Sequence, residues 1–133
     1  MAANRSTAES YKETRRRTGK NGLKSRKFTA LEALEAYQTK ALEAQEKTNC
    51  VTQFITEAEE WAKNLDSQYE DMKEKLPLFG LPISVKESIQ IKGYDATRGY
   101  VQDLGKIDDK DSLLVEILKE LGAVPFVRTN VPQ

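Results

Sequence analysis

The sequence predicts an α/β fold, because apolar strand patterns alternate with amphipathic helix patterns along its 133 residues. The clearest unit is a short strand pattern at residues 83–86, a helix pattern at 113–121 and a second apolar strand at 123–127. A strand, a crossover helix and a strand form a βαβ unit, whose strands pair in parallel through a right-handed connection. A capping box at residue 29 and a β-rich run at residues 50–55 add a helix and a strand before this unit.

Thr29 is expected to begin the first long helix. Thr29 and Glu32 have the spacing of a capping box, in which each residue's side chain bonds the other's backbone N–H. Apolar residues then recur at helical spacing, and the helix is predicted to reach about residue 46. These residues are Ala30, Leu34, Tyr37 and Ala41.

A second helix is expected after the strand at 50–55, with Thr56 as its N-cap and Glu59 three residues later. Its predicted buried stripe consists of Ala58, Trp61, Leu65 and Met72. We interpret Trp61 as an anchor of the core rather than as a ligand-stacking side chain. The charge-dense residues 66–75 are expected to form a solvated continuation of this helix.

The last predicted helix follows a loop at residues 92–110, which has Gly93 and Gly99 as hinges. Asp111 or Ser112 is expected to cap the helix, and Gly122 is typical of the residue just after a helix. The helix is expected to bury one broad apolar face. This face comprises Leu113, Leu114, Ile117, Leu118 and Leu121.

The strand at residues 124–127 is expected to remain at an edge of the sheet, where unpaired backbone groups promote aggregation. Pro125 weighs against the strand assignment at this place, because proline fits poorly in a central strand.

Several functional classes are excluded by composition. The chain has no histidine, so Ser-His-Asp triads, Cys-His dyads and most zinc sites are ruled out. Cys50 cannot form an internal disulfide because it has no second cysteine, which suits a reducing, intracellular compartment. No apolar run approaches the roughly 20 residues of a membrane span, and no secretory signal peptide is present.

The charge is unevenly distributed, although the net charge is zero. Residues 1–27 carry nine basic and two acidic side chains, whereas residues 28–133 are net acidic. We interpret residues 1–27 as a basic, partly disordered arm. It is either a solvated terminus or a binder of an anionic membrane surface. We expect no nucleic-acid partner, because no reading helix or stacking platform accompanies the charge.

Lys86 is the strongest candidate for chemistry, because it ends the strand pattern at 83–86. Burial favours the neutral amine of a lysine, and a neutral lysine acts as a base or a nucleophile. The pattern alone favours a plainer interpretation, in which the lysine extends to water from a strand end. Ser84 and Ser88 lie two residues to either side, on the same face if the strand continues.

No cofactor or metal is implied by the sequence. Neither of the two common phosphate-binding glycine motifs, GxGxxG and GxxxxGKS, occurs. Asp108, Asp109 and Asp111 lack the spacing and the closing glutamate of a calcium loop. We interpret these acids as the charged start of a helix.

Three blocks of sequence resemble the amidase signature family. Residues 77–87, PLFGLPISVKE, resemble its lysine segment, P-L-x-G-[ILV]-P-[IV]-[SA]-[LIV]-K-[DE]. Residues 92–99, KGYDATRG, are similar to its K-G-x-x-[ST]-T-x-G, although Ala96 replaces a hydroxyl residue. Residues 118–133 resemble the next block, so the resemblance covers roughly residues 29–133. It implies a mixed, twisted β-sheet covered by helices, of which this chain is the N-terminal part.

The resemblance implies a Ser–Ser–Lys triad in which Lys86 aligns with the lysine. That lysine takes a proton from a bridging serine in a cis peptide, and this serine activates the nucleophilic serine. Two details, residues 48–52 and 129–133, are most similar to the family members that hydrolyse lipid amides to a fatty acid and an amine. Those members imply a membrane surface and a second, identical subunit as partners.

Both serines of the family lie in a glycine- and serine-rich segment downstream, and the 133 residues contain no such run. Ser84 and Ser88 are therefore not assigned to those roles. We expect residues 28–133 to be the N-terminal portion of an amidase signature domain, truncated before the serine segment and inactive alone. Two alternatives are a non-catalytic fragment that pairs with a full-length subunit and a membrane-surface binder that uses residues 1–27.

Overall fold

The computed structural model describes residues 19–132 of the chain. Along these residues helices and strands alternate, which confirms the predicted α/β class. The elements are α1 (Gly19–Lys24), α2 (Ala30–Thr48), β1 (Val51–Phe54), α3 (Ala58–Ser67), α4 (Tyr69–Met72), β2 (Pro82–Lys86), a 3₁₀ turn (Val101–Asp103), α5 (Leu113–Glu120) and β3 (Val124–Thr129). Within this part of the chain no helix is long and apolar enough to cross a membrane.

The three strands form one mixed sheet in the order β1-β3-β2. β3 is central, antiparallel to β1 and parallel to β2. The parallel pairing confirms the predicted unit of β2, α5 and β3. The expectation that residues 124–127 lie at a sheet edge is wrong, because β3 is paired on both sides.

Pro125 is accommodated in this central strand by an irregularity of the ladder. Pro125 pairs with Ile83 of β2, but the next pair joins Ser84 to Val127, so Phe126 is an extra residue on β3. The carbonyl oxygen of Phe126 instead accepts a 2.9 Å hydrogen bond from the N–H of Ile55. Because proline has no N–H to donate, a strand tolerates it where the ladder is interrupted.

Helix α2 begins with the predicted capping box. The Thr29 hydroxyl accepts from the Glu32 N–H at 3.1 Å, and the Glu32 carboxylate accepts from the Thr29 N–H at 2.8 Å. The helix ends at Thr48, two residues after the predicted end, where Asn49 turns into the left-handed region with φ of 49°.

Thr56 is not the N-cap of α3, and this prediction is wrong. Glu57 occupies the cap position and makes no side-chain capping bond. The N–H of Thr56 instead donates to the Tyr94 hydroxyl at 3.0 Å. A tertiary contact with the loop after β2 has therefore replaced the local capping bond.

Residues 66–75 form only in part the predicted solvated continuation of α3. That helix ends at Ser67 and most of the following side chains are exposed, but two side chains of the segment make internal contacts. Asp66 binds the start of α2, because its carboxylate accepts from the N–H groups of Ala30 at 2.7 Å and Leu31 at 3.0 Å. Tyr69 is buried, and its hydroxyl donates to the carbonyl oxygen of Lys24 at 2.6 Å. This segment therefore attaches α1 and α2 to the core, although its composition is polar.

The buried apolar side chains form two clusters. The larger one joins α2, α3 and β3 and includes Leu34, Phe79 and Phe126. The smaller one surrounds β2 and the loop after it, and consists of Ile55, Val85, Ile91, Tyr94 and Val115. Trp61 is half-buried and packs against both clusters, as expected for an anchor of the core.

Helix α5 buries less apolar surface than predicted. Val115 is completely buried, whereas Leu113, Leu114 and Ile117 are 71%, 50% and 43% exposed. The prediction of one broad buried face is wrong, because α5 is only eight residues long and packs one side on the sheet. None of the elements between residues 19 and 132 covers its other side.

Candidate functional site

Lys86 is the last residue of β2 and lies opposite Thr129 of β3. Its side chain is exposed, although its neighbours Val85 and Glu87 are buried. The strand ends here because the N–H of Ile89 donates to the Lys86 carbonyl oxygen at 2.9 Å and closes a turn. The part of the chain between residues 19 and 132 therefore fixes the backbone of Lys86. It does not bury the Lys86 side chain, as the hypothesis of a neutral lysine required.

The structure does not gather a serine–lysine cluster around this residue. Ser84 lies on β2 and Ser88 lies in the turn after it, and both are exposed. Ser84 and Ser88 were expected to share a face with Lys86 only if the strand continued past Lys86, but β2 ends at Lys86. Within the described part of the chain neither serine is hydrogen-bonded to Lys86.

Glu87, directly after Lys86, binds the loop that returns toward the sheet. Its carboxylate accepts from two consecutive N–H groups, those of Thr97 at 2.5 Å and Arg98 at 2.8 Å. Arg98 has a positive φ of 54°, which a residue other than glycine rarely adopts. The carboxylate therefore stabilises a loop conformation that the backbone alone disfavours.

Arg128 of β3 completes a buried network with Glu87. Its Nη2 donates to the Glu87 carbonyl oxygen at 3.1 Å and lies 3.5 Å from the Glu87 carboxylate. The same nitrogen donates to the carbonyl oxygen of Asp95. Its Nη1 donates to the Gln53 side chain at 3.1 Å and lies 3.6 Å from the Asp95 carboxylate. One guanidinium thus joins β1, β3, the turn after Lys86 and the returning loop.

Tyr94 attaches this loop to the start of α3. Its hydroxyl donates to the Glu57 carboxylate at 2.6 Å and accepts from the Thr56 N–H. The hydrogen bond from Tyr94 holds the pKa of Glu57 below its ordinary value. Arg128 lies 5.6 Å from the centre of the Tyr94 ring, which brings the tyrosine into the same network.

A cavity of about 560 Å³ adjoins the turn after Lys86. It is lined by that turn, the 94–98 loop and the start of α5, and its polar residues include Ser88, Arg98 and Asp108. Lys86 is not among its lining residues, so the cavity borders the lysine turn without containing the lysine side chain.

The acidic residues before α5 have structural partners. Asp111 accepts from the Lys92 N–H at 2.8 Å and binds the Lys119 ammonium at 2.6 Å. Asp108 accepts from the Gln90 side chain at 2.7 Å. Over residues 19–132 no group of three or more acidic or cysteine side chains has the arrangement of a metal site. These acids therefore tie the loop at 92–110 to α5.

Comparison with known proteins assigns the family. The family model described as Amidase matches residues 32–133. The chain belongs to the amidase signature family. The mixed sheet and its helical cover match part of the fold of solved amidase structures, as the resemblance implied.

The relatives of this amidase signature chain are longer than the chain itself. Fatty acid amide hydrolase 1 of Caenorhabditis elegans is 52% identical over 106 residues, which are 79% of this chain and 18% of that protein. Acetamidase of Emericella nidulans is 41% identical over 108 residues, 80% of this chain and 20% of that protein. The solved structure of a fatty acid amide hydrolase superposes with a TM-score of 0.79 at 29% identity, over 86% of this chain and 20% of that one. The chain thus spans about one fifth of the length of the proteins it matches.

The pairing of Glu87 with Arg128, 41 positions later, was not predicted from the sequence. The residue that could have indicated this pairing is Arg128, a cation that directly follows an apolar strand pattern. A charge at that place in a central strand requires a buried partner.

Proposed function

We propose that Lys86 is the proton-transferring lysine of a serine amide hydrolase whose two serines come from outside residues 19–132. The supporting observation is the place of Lys86, which is exposed at the end of an edge strand while the residues on either side are buried. Its backbone is held by the sheet and its amine is open to a further segment of polypeptide. A catalytic triad whose two serines come from another segment requires a lysine placed in this way.

In the proposed reaction, the amine of Lys86 accepts a proton from a bridging serine. The bridging serine takes the proton of the nucleophilic serine, whose oxygen bonds to the amide carbonyl carbon. The proton is then delivered to the leaving nitrogen as the carbon–nitrogen bond breaks and the amine departs. Water hydrolyses the acyl-enzyme, which releases the carboxylic acid and restores both serines.

A lipid amide is the substrate class that we propose. Among the relatives, the one named fatty acid amide hydrolase is 52% identical to this chain, against 41% for the one named acetamidase. The first products would then be a fatty acyl group on the enzyme and a free amine.

The 133-residue polypeptide alone is proposed to be inactive, because it contains no glycine- and serine-rich run. Ser84 and Ser88 do not replace that run, since neither is bonded to Lys86. Purified polypeptide incubated with a long-chain fatty acyl amide is expected to release no amine. Release that Lys86→Ala abolishes would contradict this part of the proposal.

A chimaera tests the role of Lys86. The aligned 106 residues of this chain replace their counterpart in the nematode relative, which supplies the remaining segments. We expect the chimaera to hydrolyse a long-chain fatty acyl amide in preference to acetamide. Because a positioned base contributes about 10²–10⁴-fold, Lys86→Ala is expected to lower kcat by that factor. Lys92→Ala is the matched control, since Lys92 is an exposed lysine of the following loop. A folded chimaera whose activity survives Lys86→Ala would refute the proposal.

Pairing with another subunit is a second candidate function, and the exposed apolar side of α5 favours it. Leu113, Leu114 and Ile117 are exposed together on this helix, and large contiguous apolar patches often mark interaction sites. We expect the polypeptide to form a heteromer with a full-length amidase subunit in light scattering, and Ile117→Glu to abolish it. Leu42→Glu is the control, because Leu42 is 56% exposed on α2. A monomeric mixture would eliminate this function.

A further inference from the structure

We propose that Glu87 and Arg128 are positioning residues for Lys86, which they hold by fixing the peptide unit that follows it. The inference rests on the proposed function of Lys86, since only a reacting lysine needs such precision. Neither residue is assigned a contact with substrate. Their action passes through the backbone of the turn and through the 94–98 loop.

Every polar group of Glu87 is hydrogen-bonded. Its N–H donates to the Thr129 carbonyl oxygen at 2.8 Å, and its own carbonyl oxygen accepts from Arg128 at 3.1 Å. Its two carboxylate oxygens accept from the N–H groups of Thr97 and Arg98. The residue after Lys86 therefore cannot rotate without breaking bonds to both β3 and the loop.

Arg128 is placed to couple the sheet, the turn after Lys86 and the loop. Its side chain is 2% exposed, and it contacts groups on three separate segments: Gln53 on β1, Glu87 on the turn and Asp95 on the loop. The planar guanidinium presents its donors in a fixed geometry, which a lysine ammonium cannot reproduce. A movement of the loop is therefore transmitted to the turn that carries Lys86.

The buried pair of Glu87 and Arg128 carries a desolvation penalty. A buried carboxylate and a buried guanidinium are expensive to desolvate, and apolar side chains of similar size often give equal or greater stability. General stability is thus a poor explanation for charges at this place. A need to fix the position of Glu87, the residue next to Lys86, explains the two buried charges directly.

Amide hydrogen exchange on the ¹⁵N-labelled 133-residue polypeptide tests the coupling. In Glu87→Gln, and in Arg128→Lys, exchange of the Thr97 and Arg98 amides is expected to accelerate about tenfold or more, while the amides of α2 keep their protection. Glu59→Gln, which removes an exposed ion pair with Lys63 on α3, is the charge-matched control and should change neither set. Unchanged exchange at Thr97 and Arg98, or an equal loss of protection in α2, would overturn the coupling.

Kinetics in the chimaera tests the positioning. Because a small misplacement of a reacting group costs up to about 10²-fold, Glu87→Gln and Arg128→Lys are expected to lower kcat by about 10–10²-fold. KM should stay within about twofold, and Glu87→Asp should restore most of kcat. If Lys86→Ala abolishes turnover while Glu87→Gln and Arg128→Lys leave kcat unchanged, positioning is refuted and the role of Lys86 stands. If Lys86→Ala leaves turnover intact, the proposed function fails, whatever the exchange experiment shows.

Discussion

The Tyr94 hydroxyl donates a 2.6 Å hydrogen bond to the carboxylate of Glu57, across 37 positions of sequence. Glu57 stands where α3 begins, and Tyr94 belongs to the loop that Arg128 and Glu87 organise. The bond therefore connects the start of a scaffold helix with the surroundings of the candidate lysine.

Removal of this bond should make stability less dependent on pH. The pKa of Glu57 is lowered below 4.5 chiefly by the bond from Tyr94, so the stabilisation is present at neutral pH and is lost as the pH falls through the folded pKa. Tyr94→Phe is expected to lower the free energy of unfolding by about 1–2 kcal/mol at neutral pH, and by less at about pH 3. Urea denaturation at the two pH values measures this difference. An equal loss at both would show that Glu57 is not the group involved.

Asp66 is expected to contribute to stability as a distant cap of α2. Its carboxylate satisfies two N–H groups at the helix start, and loss of a capping side chain typically costs about 0.5–2 kcal/mol. Asp66→Ala should lower the urea midpoint by a corresponding amount without changing the slope of the transition. Asp71→Ala, at an exposed acid on α4, serves as control and should stay within about 0.5 kcal/mol of the parent. If the two variants lose equal stability, Asp66 is not a cap.

Gly80 and Gly93 provide a comparison between strain alone and strain with a steric clash. Both have positive φ, 67° and 87°, but a Cβ at Gly80 would lie 2.7 Å from the Cβ of Ala30, whereas a Cβ at Gly93 meets nothing within 4 Å. Gly93→Ala should cost about 1–2 kcal/mol from the backbone alone. Gly80→Ala should cost about 1–3 kcal/mol more, because α2 must move. Thermal denaturation of both variants tests this order, and equal melting temperatures would contradict it.

Binding to anionic membranes is predicted to depend on residues 2–18, which lie outside the described residues. A cut after residue 18 spares α1, whose Leu23 is buried in the core. Each basic residue near an anionic surface is worth about 1 kcal/mol, so deletion of residues 2–18 should greatly reduce sedimentation with phosphatidylserine vesicles. Replacement of Arg15, Arg16 and Arg17 by glutamine should reduce it in part, and neutral vesicles should bind neither form. Sedimentation that the deletion leaves unchanged would exclude the arm as a membrane binder.

Most local elements and the family could be predicted from the amino-acid sequence alone. The capping box of Thr29 and Glu32 predicted the start of α2, because a capping box is made by residues three apart. The apolar patterns at 83–86 and 124–127 predicted parallel strands joined by α5. The motif around Lys86 was enough to identify the family, and the role of that lysine remains a prediction.

Which charges are buried and which apolar residues are exposed could be read only from the three-dimensional packing. Glu87 and Arg128, like Asp66 and Ala30, are separated by more than 30 positions, and no local pattern encodes such a pairing. The exposure of Leu113 and Ile117 was equally unpredictable, because helical periodicity identifies an apolar face but not whether another element covers it. Burial and pairing depend on which segments meet in space, and that is a property of the whole fold.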